Sequence, residues 1–363
     1  MINIAILTPC IVEGDAVSND VVGMYNCLKK HGYNVQIFAD NWHASNTNNI
    51  KYFSQVKSFI KQKKDILIYH YSVGWDIALE IINEINCVKV VKYHNVTPPE
   101  FFDGINADYA NVCRSGRKQL KLIADIYGAL YLSDSEYNAN ELYLMGVAKD
   151  NSWVIPPFHH IDDLQYIDAD TSILDEYIDG KVNILMVGRL APNKGHSTLI
   201  DAFDVYHKNY NNDSRLIIVG KHDERLSIYT KSLYEKVNYL GLQESVVFTG
   251  GVSTTTLKAY YLTANIFMIT SEHEGFCVPL VESMAMKVPI VAYGSTAIPY
   301  TVGKAGLVWE QPDPYFMAGS IDCIASKESI STTLGEMGWR RYQEIFTNEQ
   351  IESKFIKAIE NIE

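Results

Sequence analysis

Short apolar runs rich in Val, Ile and Leu alternate with helical patterns from the first residues onward. Such runs suit strands buried on both faces of a parallel sheet, and the helical stretches between them suit its crossovers. The pattern predicts strands at 2–7, 35–39, 66–69, 88–93 and 129–132. Helices are expected at 20–31, stopped by Gly32, and from a Ser135 cap to about Met145, stopped by Gly146. Between Pro156 and Gly180 the alternation fails in a Pro-Pro, His-His and acidic stretch that reads as a linker. It restarts with strands at 183–187, 215–219, 246–248, 266–269 and 289–292. Thr347 to Gln350 fits a capping box, opening a last helix with Ile351, Phe355, Ile359 and Ile362 on one side. The expected fold is α/β, with doubly wound domains at 1–165 and 166–345 and a closing helix at 346–363.

Composition narrows the classes. A chain of 363 residues exceeds one hydrophobic core. The balance of 31 Lys and Arg against 43 Asp and Glu gives a net charge of -12, which argues against nucleic acid as a partner. The first 165 residues carry 14 basic against 18 acidic side chains and the rest 17 against 25, so the second half is the more acidic. Six scattered cysteines form no C-x-x-C pair, so neither a disulfide framework nor a zinc knuckle is expected. The start MINIAILTP lacks a charged leader, and no apolar run approaches the roughly 18 residues of a membrane span. A cytoplasmic protein is expected.

Open parallel sheets bind ligands beyond the carboxyl ends of their strands, so chemistry is sought there. The strand at 183–187 runs into Gly188-Arg189-Leu190-Ala191-Pro192-Asn193-Lys194-Gly195 and then a helix. Arg189 and Lys194 beside a helix N-terminus suit a diphosphate; the alternative is two solvated surface cations. Neither a G-x-x-x-x-G-K-[ST] loop nor a G-x-G-x-x-G motif occurs, which disfavours P-loop NTPases and dinucleotide dehydrogenases. The strand at 266–269 leads to Glu274-Gly275-Phe276-Cys277-Val278-Pro279 and a helix carrying Glu282. Ionised carboxylates accept hydrogen bonds from vicinal sugar hydroxyls, although Glu282 could equally answer the helix dipole and Glu274 lie exposed. The strand at 88–93 delivers His94, suited to sugar hydroxyls or proton transfer, or to a purely structural role. His159 and His160 beside Asp162 and Asp163, and the Asp168/Asp170 pair, lie in the linker, which argues against a metal there.

The E-x7-E element from Glu274 to Glu282, with the G-R-L-x-x-x-K-G segment at 188–195, resembles glycosyltransferase family 4 over nearly the whole chain. The resemblance implies the GT-B fold: two Rossmann-like domains facing a cleft, with the final helix returning to the first. His94-Asn95-Val96-Thr97-Pro98, Arg117 and Ser135-Glu136-Tyr137-Asn138 are similar to a bacterial branch that transfers mannose or deoxyhexoses in surface polysaccharide assembly, including lipopolysaccharide. It implies that Arg189 and Lys194 neutralise the leaving diphosphate, Glu282 holds the ribose, Glu274 contacts the donor sugar, and the amides of Gly275, Phe276 and Cys277 approach sugar and phosphate. It makes His94 a catalytic-site residue reaching the donor sugar and places base contacts near Gly251, Val252 and Ser253. Where many members have a run of glycines after the first strand, only Gly14 appears, so a phosphate contact there is in doubt; Asp15 faces the acceptor or is a solvated carboxylate.

The implied reaction is hexosyl transfer with retention from a nucleoside-diphosphate sugar, a GDP-sugar favoured over a UDP-sugar, to a saccharide or lipid-linked saccharide. No cofactor and no metal are expected, since two cations meet the diphosphate. Arg114, Arg117, Lys118 and Lys121 recur at helical spacing, with a second basic group at Lys57, Lys61, Lys63 and Lys64; either is a surface for anionic lipid at the inner membrane face or a solvated face. The rival readings are a GT-B nucleotide-sugar epimerase and a hinged two-domain sugar-binding protein.

Overall fold

The computed structural model describes residues 2–43 and 49–362. It divides into two compact units. The first comprises the chain up to Glu100, Asp108–His160 and the segment from Thr347 onward; the second comprises Phe101–Ala107 and Ile161–Phe346.

The first unit holds β1 (Asn3–Val12), β2 (Asn34–His43), β3 (Ile50–Tyr52), β4 (Ile66–Tyr71), β5 (Val88–Tyr93), β6 (Leu130–Ser133) and β7 (Ser152–Val154). Every pairing is parallel, in the order β3-β2-β1-β4-β5-β6-β7. The second unit holds β8 (Val182–Val187), β9 (Ser214–Val219), β10 (Val246–Gly250), β11 (Ile266–Ile269), β12 (Ile290–Tyr293) and β13 (Gly306–Trp309). Its order is β10-β9-β8-β11-β12-β13, again parallel. In both sheets the order reverses beside the unit's first strand, between β1 and β4 and between β8 and β11. That reversal is where loops part and a ligand crevice opens.

β4 and β11 are buried along their whole length, which is why they read as apolar runs, interrupted only by His70 in β4. The expected strands are all present. β3, β7 and β13 were not expected; each is only three or four residues long and at a sheet edge, too short to stand out in the pattern.

The stretch after Pro156 is more ordered than its composition suggests. It contains the helices Ile161–Tyr166 and Thr171–Tyr177, and Ile161, Leu164 and Tyr177 are buried in the second unit's core. Helices this short show no periodicity. The last helix, Asn348–Glu360, starts where Thr347 accepts from the Gln350 amide. It inserts Ile351, Phe355 and Ile359 into the core of the first unit, with Phe355 edge-on to Phe158.

Candidate active site

In the second unit the loops after β8 and β11 flank the reversal of strand order, and hydrogen bonds zip them together. Asn193 O accepts from the amides of Glu272 (2.8 Å) and His273 (3.2 Å), while Asn193 Nδ2 donates to His273 O (3.1 Å). Thr270 Oγ1 donates to Gly195 O at 2.9 Å. Gly195 sits at φ 65°, and a Cβ there would meet Thr270 O at 2.1 Å. Only glycine permits both the turn and this closeness.

The zipper sets Lys194 against Glu274: Nζ donates to Oε1 at 2.6 Å. Glu274 is buried and Lys194 half-buried. Burial alone would lower the Lys194 pKa, but the Glu274 carboxylate outweighs it and raises it, so the ammonium stays charged. The backbone of Glu274 is clamped at both ends by Thr296, whose Oγ1 accepts from its amide (2.8 Å) and donates to its carbonyl (3.0 Å). Arg189 is more exposed, 3.7 Å from Asp223 Oδ2. Glu282 lies in the helix Val278–Ala285 and accepts from Tyr261 Oη at 2.7 Å. Burial pushes its pKa up, and the Tyr261 hydrogen bond only partly offsets that.

Gly275, Phe276 and Cys277 lead into this helix. Cys277, its N-cap, has φ 75° and ψ 76°, a left-handed conformation that a non-glycine residue seldom takes. The cap side chain accepts no hydrogen bond from the helix amides. Val252 follows β10 and packs partly against the core. Lys194, Glu274 and the 275–277 turn therefore meet on one pair of loops, with Glu282 one turn into the helix that follows.

In the first unit, Gly14 takes φ 79° in the turn after β1. Asp15 is the N-cap of the helix Ala16–Lys30, accepting from Ser18 N and Ser18 Oγ at 2.9 Å each, so it is not simply a solvated carboxylate. His94 follows β5 and is buried, with both ring nitrogens engaged: Nδ1 with Asp134 Oδ2 at 2.8 Å and Nε2 with His70 Nδ1 at 2.9 Å. To meet a sugar through a ring nitrogen it must give up one of these partners. Arg117 turns inward to Glu141 Oε1 at 2.8 Å and Val96 O at 3.3 Å. It thereby leaves the basic row that the sequence suggests for the helix Ala107–Ala124. Lys121 pairs with Asp125, and Lys57 with Glu84. Among the described residues no helix is long and apolar enough to cross a membrane.

His70, Asp20, Lys92 and Asp134, which surround His94, escaped the sequence reading. They come from β4, the helix Ala16–Lys30, β5 and the turn after β6, and no local spacing links them. The available signal was a charged or polar residue inside an apolar run, as at Lys92 and His70.

Residues 175–338 match the family of glycosyl transferases group 1. Mannosylfructose-phosphate synthase of Agrobacterium fabrum is 28% identical over 224 residues, 59% of this chain and 49% of that protein. A GDP-mannose-dependent alpha-(1-6)-phosphatidylinositol monomannoside mannosyltransferase of Mycobacterium tuberculosis is 31% identical over 134 residues, 34% of this chain and 33% of that one. The chain spans 49%, 60% and 52% of the length of three curated relatives. The crystal structure of Anabaena HepE in complex with UDP-glucose superposes with a TM-score of 0.78 at 16% identity, covering 99% of this chain and 100% of that one. Two parallel-sheet Rossmann-like domains of the GT-B type are thus established as the fold, with the match to glycosyl transferases group 1 carried by residues 175–338.

Proposed function

We propose that this protein is a glycosyltransferase that moves a hexose from a nucleoside-diphosphate sugar to a saccharide or lipid-linked saccharide, with retention at the anomeric carbon. The observation that carries the reading is the Lys194–Glu274 pair, held by zipped loops at the point where the strand order of the second sheet reverses. A cation and a carboxylate in contact suit the two ends of a sugar diphosphate. As the sugar–oxygen bond breaks, negative charge grows on the leaving diphosphate, and Lys194 with Arg189 answers it. Glu274 contacts the sugar hydroxyls. The 275–277 turn brings backbone amides to sugar and phosphate, Glu282 holds the ribose, and the backbone near Val252 faces the base. Fixed charges of this kind are the largest catalytic term available, because they need no reorganisation during reaction.

The diphosphate needs no metal ion in this reading, so added Mg²⁺ leaves kcat unchanged. A GDP-sugar carrying mannose or a deoxyhexose is the proposed donor, in keeping with the GDP-mannose-dependent relative; the neighbour solved with UDP-glucose makes UDP the control. The first unit takes the acceptor, and the protein works in the cytoplasm, at the inner face of the membrane when the acceptor is lipid-linked.

The test begins with thermal shift against GDP, UDP, ADP and their sugars, since a ligand bound only by the folded chain raises Tm. The stabilising sugar nucleotide is then given to saccharide acceptors and the product anomer read by NMR. An α-linked product from an α-linked donor is expected. Inverted product removes retention from the reading. Conversion of the donor with no acceptor present replaces transfer with epimerisation, and stabilisation by none of these ligands removes the donor site.

A further inference from the structure

The first unit contains a second polar centre, built around His94. Asp20, His70 and Lys92 are fully buried, and His94 and Asp134 nearly so. Asp20 Oδ1 accepts from the Phe158 amide at 2.8 Å. Its other oxygen, Oδ2, is buried and has no hydrogen-bond partner among the described residues. Three nitrogens stand 3.8 Å from it: His70 Nδ1, His94 Nε2 and Lys92 Nζ. That distance is too long for a hydrogen bond.

We propose that Asp20 Oδ2, His70 Nδ1 and His94 Nε2 form a binding site for one divalent transition-metal ion, with Zn²⁺ as the type. The three ligand atoms form a triangle with sides of 2.9, 3.8 and 3.8 Å. The nearest point equidistant from all three lies in their plane, about 2.1 Å from each, so an ion close to that plane meets them at the length of a Zn–N or Zn–O bond. One carboxylate oxygen with two imidazole nitrogens is a donor set that divalent first-row ions accept, with further positions left for water.

The surroundings favour a cation. Lys92 is committed to Asp134 Oδ1 at 2.7 Å and to the carbonyl of Ile155. Two carboxylates against one ammonium leave Asp20 short of a counter-charge, which a proton or a cation can supply. Asp134 Oδ2 accepts from His94 Nδ1, which leaves His94 Nε2 as an acceptor facing His70 Nδ1 at 2.9 Å; an ion bound to both nitrogens displaces the one proton between them. A carboxylate behind a ligating histidine is the usual outer support of such sites. The competing occupant is a proton: burial pushes the Asp20 carboxyl up, so proton and metal contend for one oxygen. A bound ion would tie the helix Ala16–Lys30 to β4 and to the turn after β5, and would hold the His94 ring. This role is structural and stands apart from the charge on the diphosphate.

The test uses the full chain, dialysed against EDTA and titrated with Zn²⁺ or Co²⁺. One ion per chain retained through gel filtration is expected, together with visible Co²⁺ d–d bands lacking a thiolate charge-transfer band. That last point separates this centre from Cys27, His31 and Glu352, whose ligand atoms also lie close together but include a thiol. Cys27→Ser should keep the ion, Asp20→Asn and His70→Gln should lose it, and Asp134→Asn should weaken it about 10–100-fold. No retained ion, a thiolate band, or loss of the ion in Cys27→Ser overturns the proposal. Where the Asp20 and His70 variants fail to fold, the Co²⁺ spectrum of the unaltered chain decides. None of these readouts depends on sugar transfer.

Discussion

Lys194 Nζ donates to Glu274 Oε1 across 2.6 Å, joining two loops that lie eighty residues apart in sequence. The two side chains hold each other in place before any ligand arrives. In the proposed reaction the donor diphosphate would share Lys194 with Glu274, and the sugar would meet a carboxylate already oriented by that contact.

Lys194→Ala should cut kcat about 10²–10³-fold at saturating donor, by analogy with loss of one oxyanion donor. Near-normal kcat would end the leaving-group role. In the unliganded protein the same change leaves Glu274 buried without its partner. Adding Glu274→Gln should recover part of the lost stability, with a coupling of about 1–3 kcal/mol in a double-mutant cycle. Strictly additive effects on Tm would show that the pair does not act as a unit.

Glu282→Gln should separate stability from binding. Burial raises the Glu282 pKa, so the folded state holds its proton more tightly than the unfolded chain does. Stability therefore falls as pH rises from the unfolded glutamate value toward the raised one, and the penalty persists at neutral pH. The amide removes that penalty while keeping an acceptor for Tyr261 Oη. Expected at pH 7 are a higher Tm and a higher donor KM; an unchanged KM would free Glu282 from the ribose.

His196 predicts an acid weakness. Its ring is fully buried, and burial, with Lys194 nearby, lowers its pKa to about 3. Between that value and roughly 6.5 the unfolded chain binds a proton that the folded chain refuses, so stability rises with pH through this window. Lowering the pH from 7 to 5 should cost roughly 2 kcal/mol from this group. His196→Gln should flatten that part of the urea-denaturation profile, and an unchanged slope would assign the acid sensitivity elsewhere.

Gly195→Ala should be among the more damaging methyl additions in the second unit. The left-handed backbone costs a side chain about 1–2 kcal/mol, and the clash with Thr270 O comes on top. Tm and kcat/KM should fall together, because the zipper that sets Lys194 against Glu274 opens. A fall in Tm alone would mean that the pair survives without it.

Asp15 offers a sharper distinction. As a helix cap, its replacement by Ala should cost about 1 kcal/mol, whereas Asp15→Ser keeps an acceptor and most of the stability. If the carboxylate also faces the acceptor, Asp15→Ser will lower acceptor kcat/KM with Tm held. If both variants transfer normally, capping is its whole role.

Much of this was legible in the chain. Strands buried on both faces write themselves as apolar runs, so β4, β5, β8 and β11 could be placed, and with them the loops carrying His94, Lys194 and Glu274. The edge strands β3, β7 and β13 could not, because three or four residues are too few to stand out as a run. The helices Ile161–Tyr166 and Thr171–Tyr177 hid in an acidic stretch too short for periodicity. The inward turn of Arg117 was equally invisible, since helical spacing gives the row but not Glu141 across from it. Least legible of all was the ring around His94. A side chain buried against partners from three other elements has no local signature, only the oddity of a second lysine, Lys92, beside it in the strand Val88–Tyr93.

The closing helix has a consequence for biogenesis. The second unit is almost one continuous stretch, so its sheet can form as soon as residue 346 has left the ribosome. The first unit begins earlier yet lacks Ile351, Phe355 and Ile359 until the helix that carries them has been made. Throughout that interval its apolar face stays uncovered and offers a site for chaperone capture. Truncation before Thr347 should accordingly yield nascent chains whose first unit is prone to aggregate while the second is already resistant to protease.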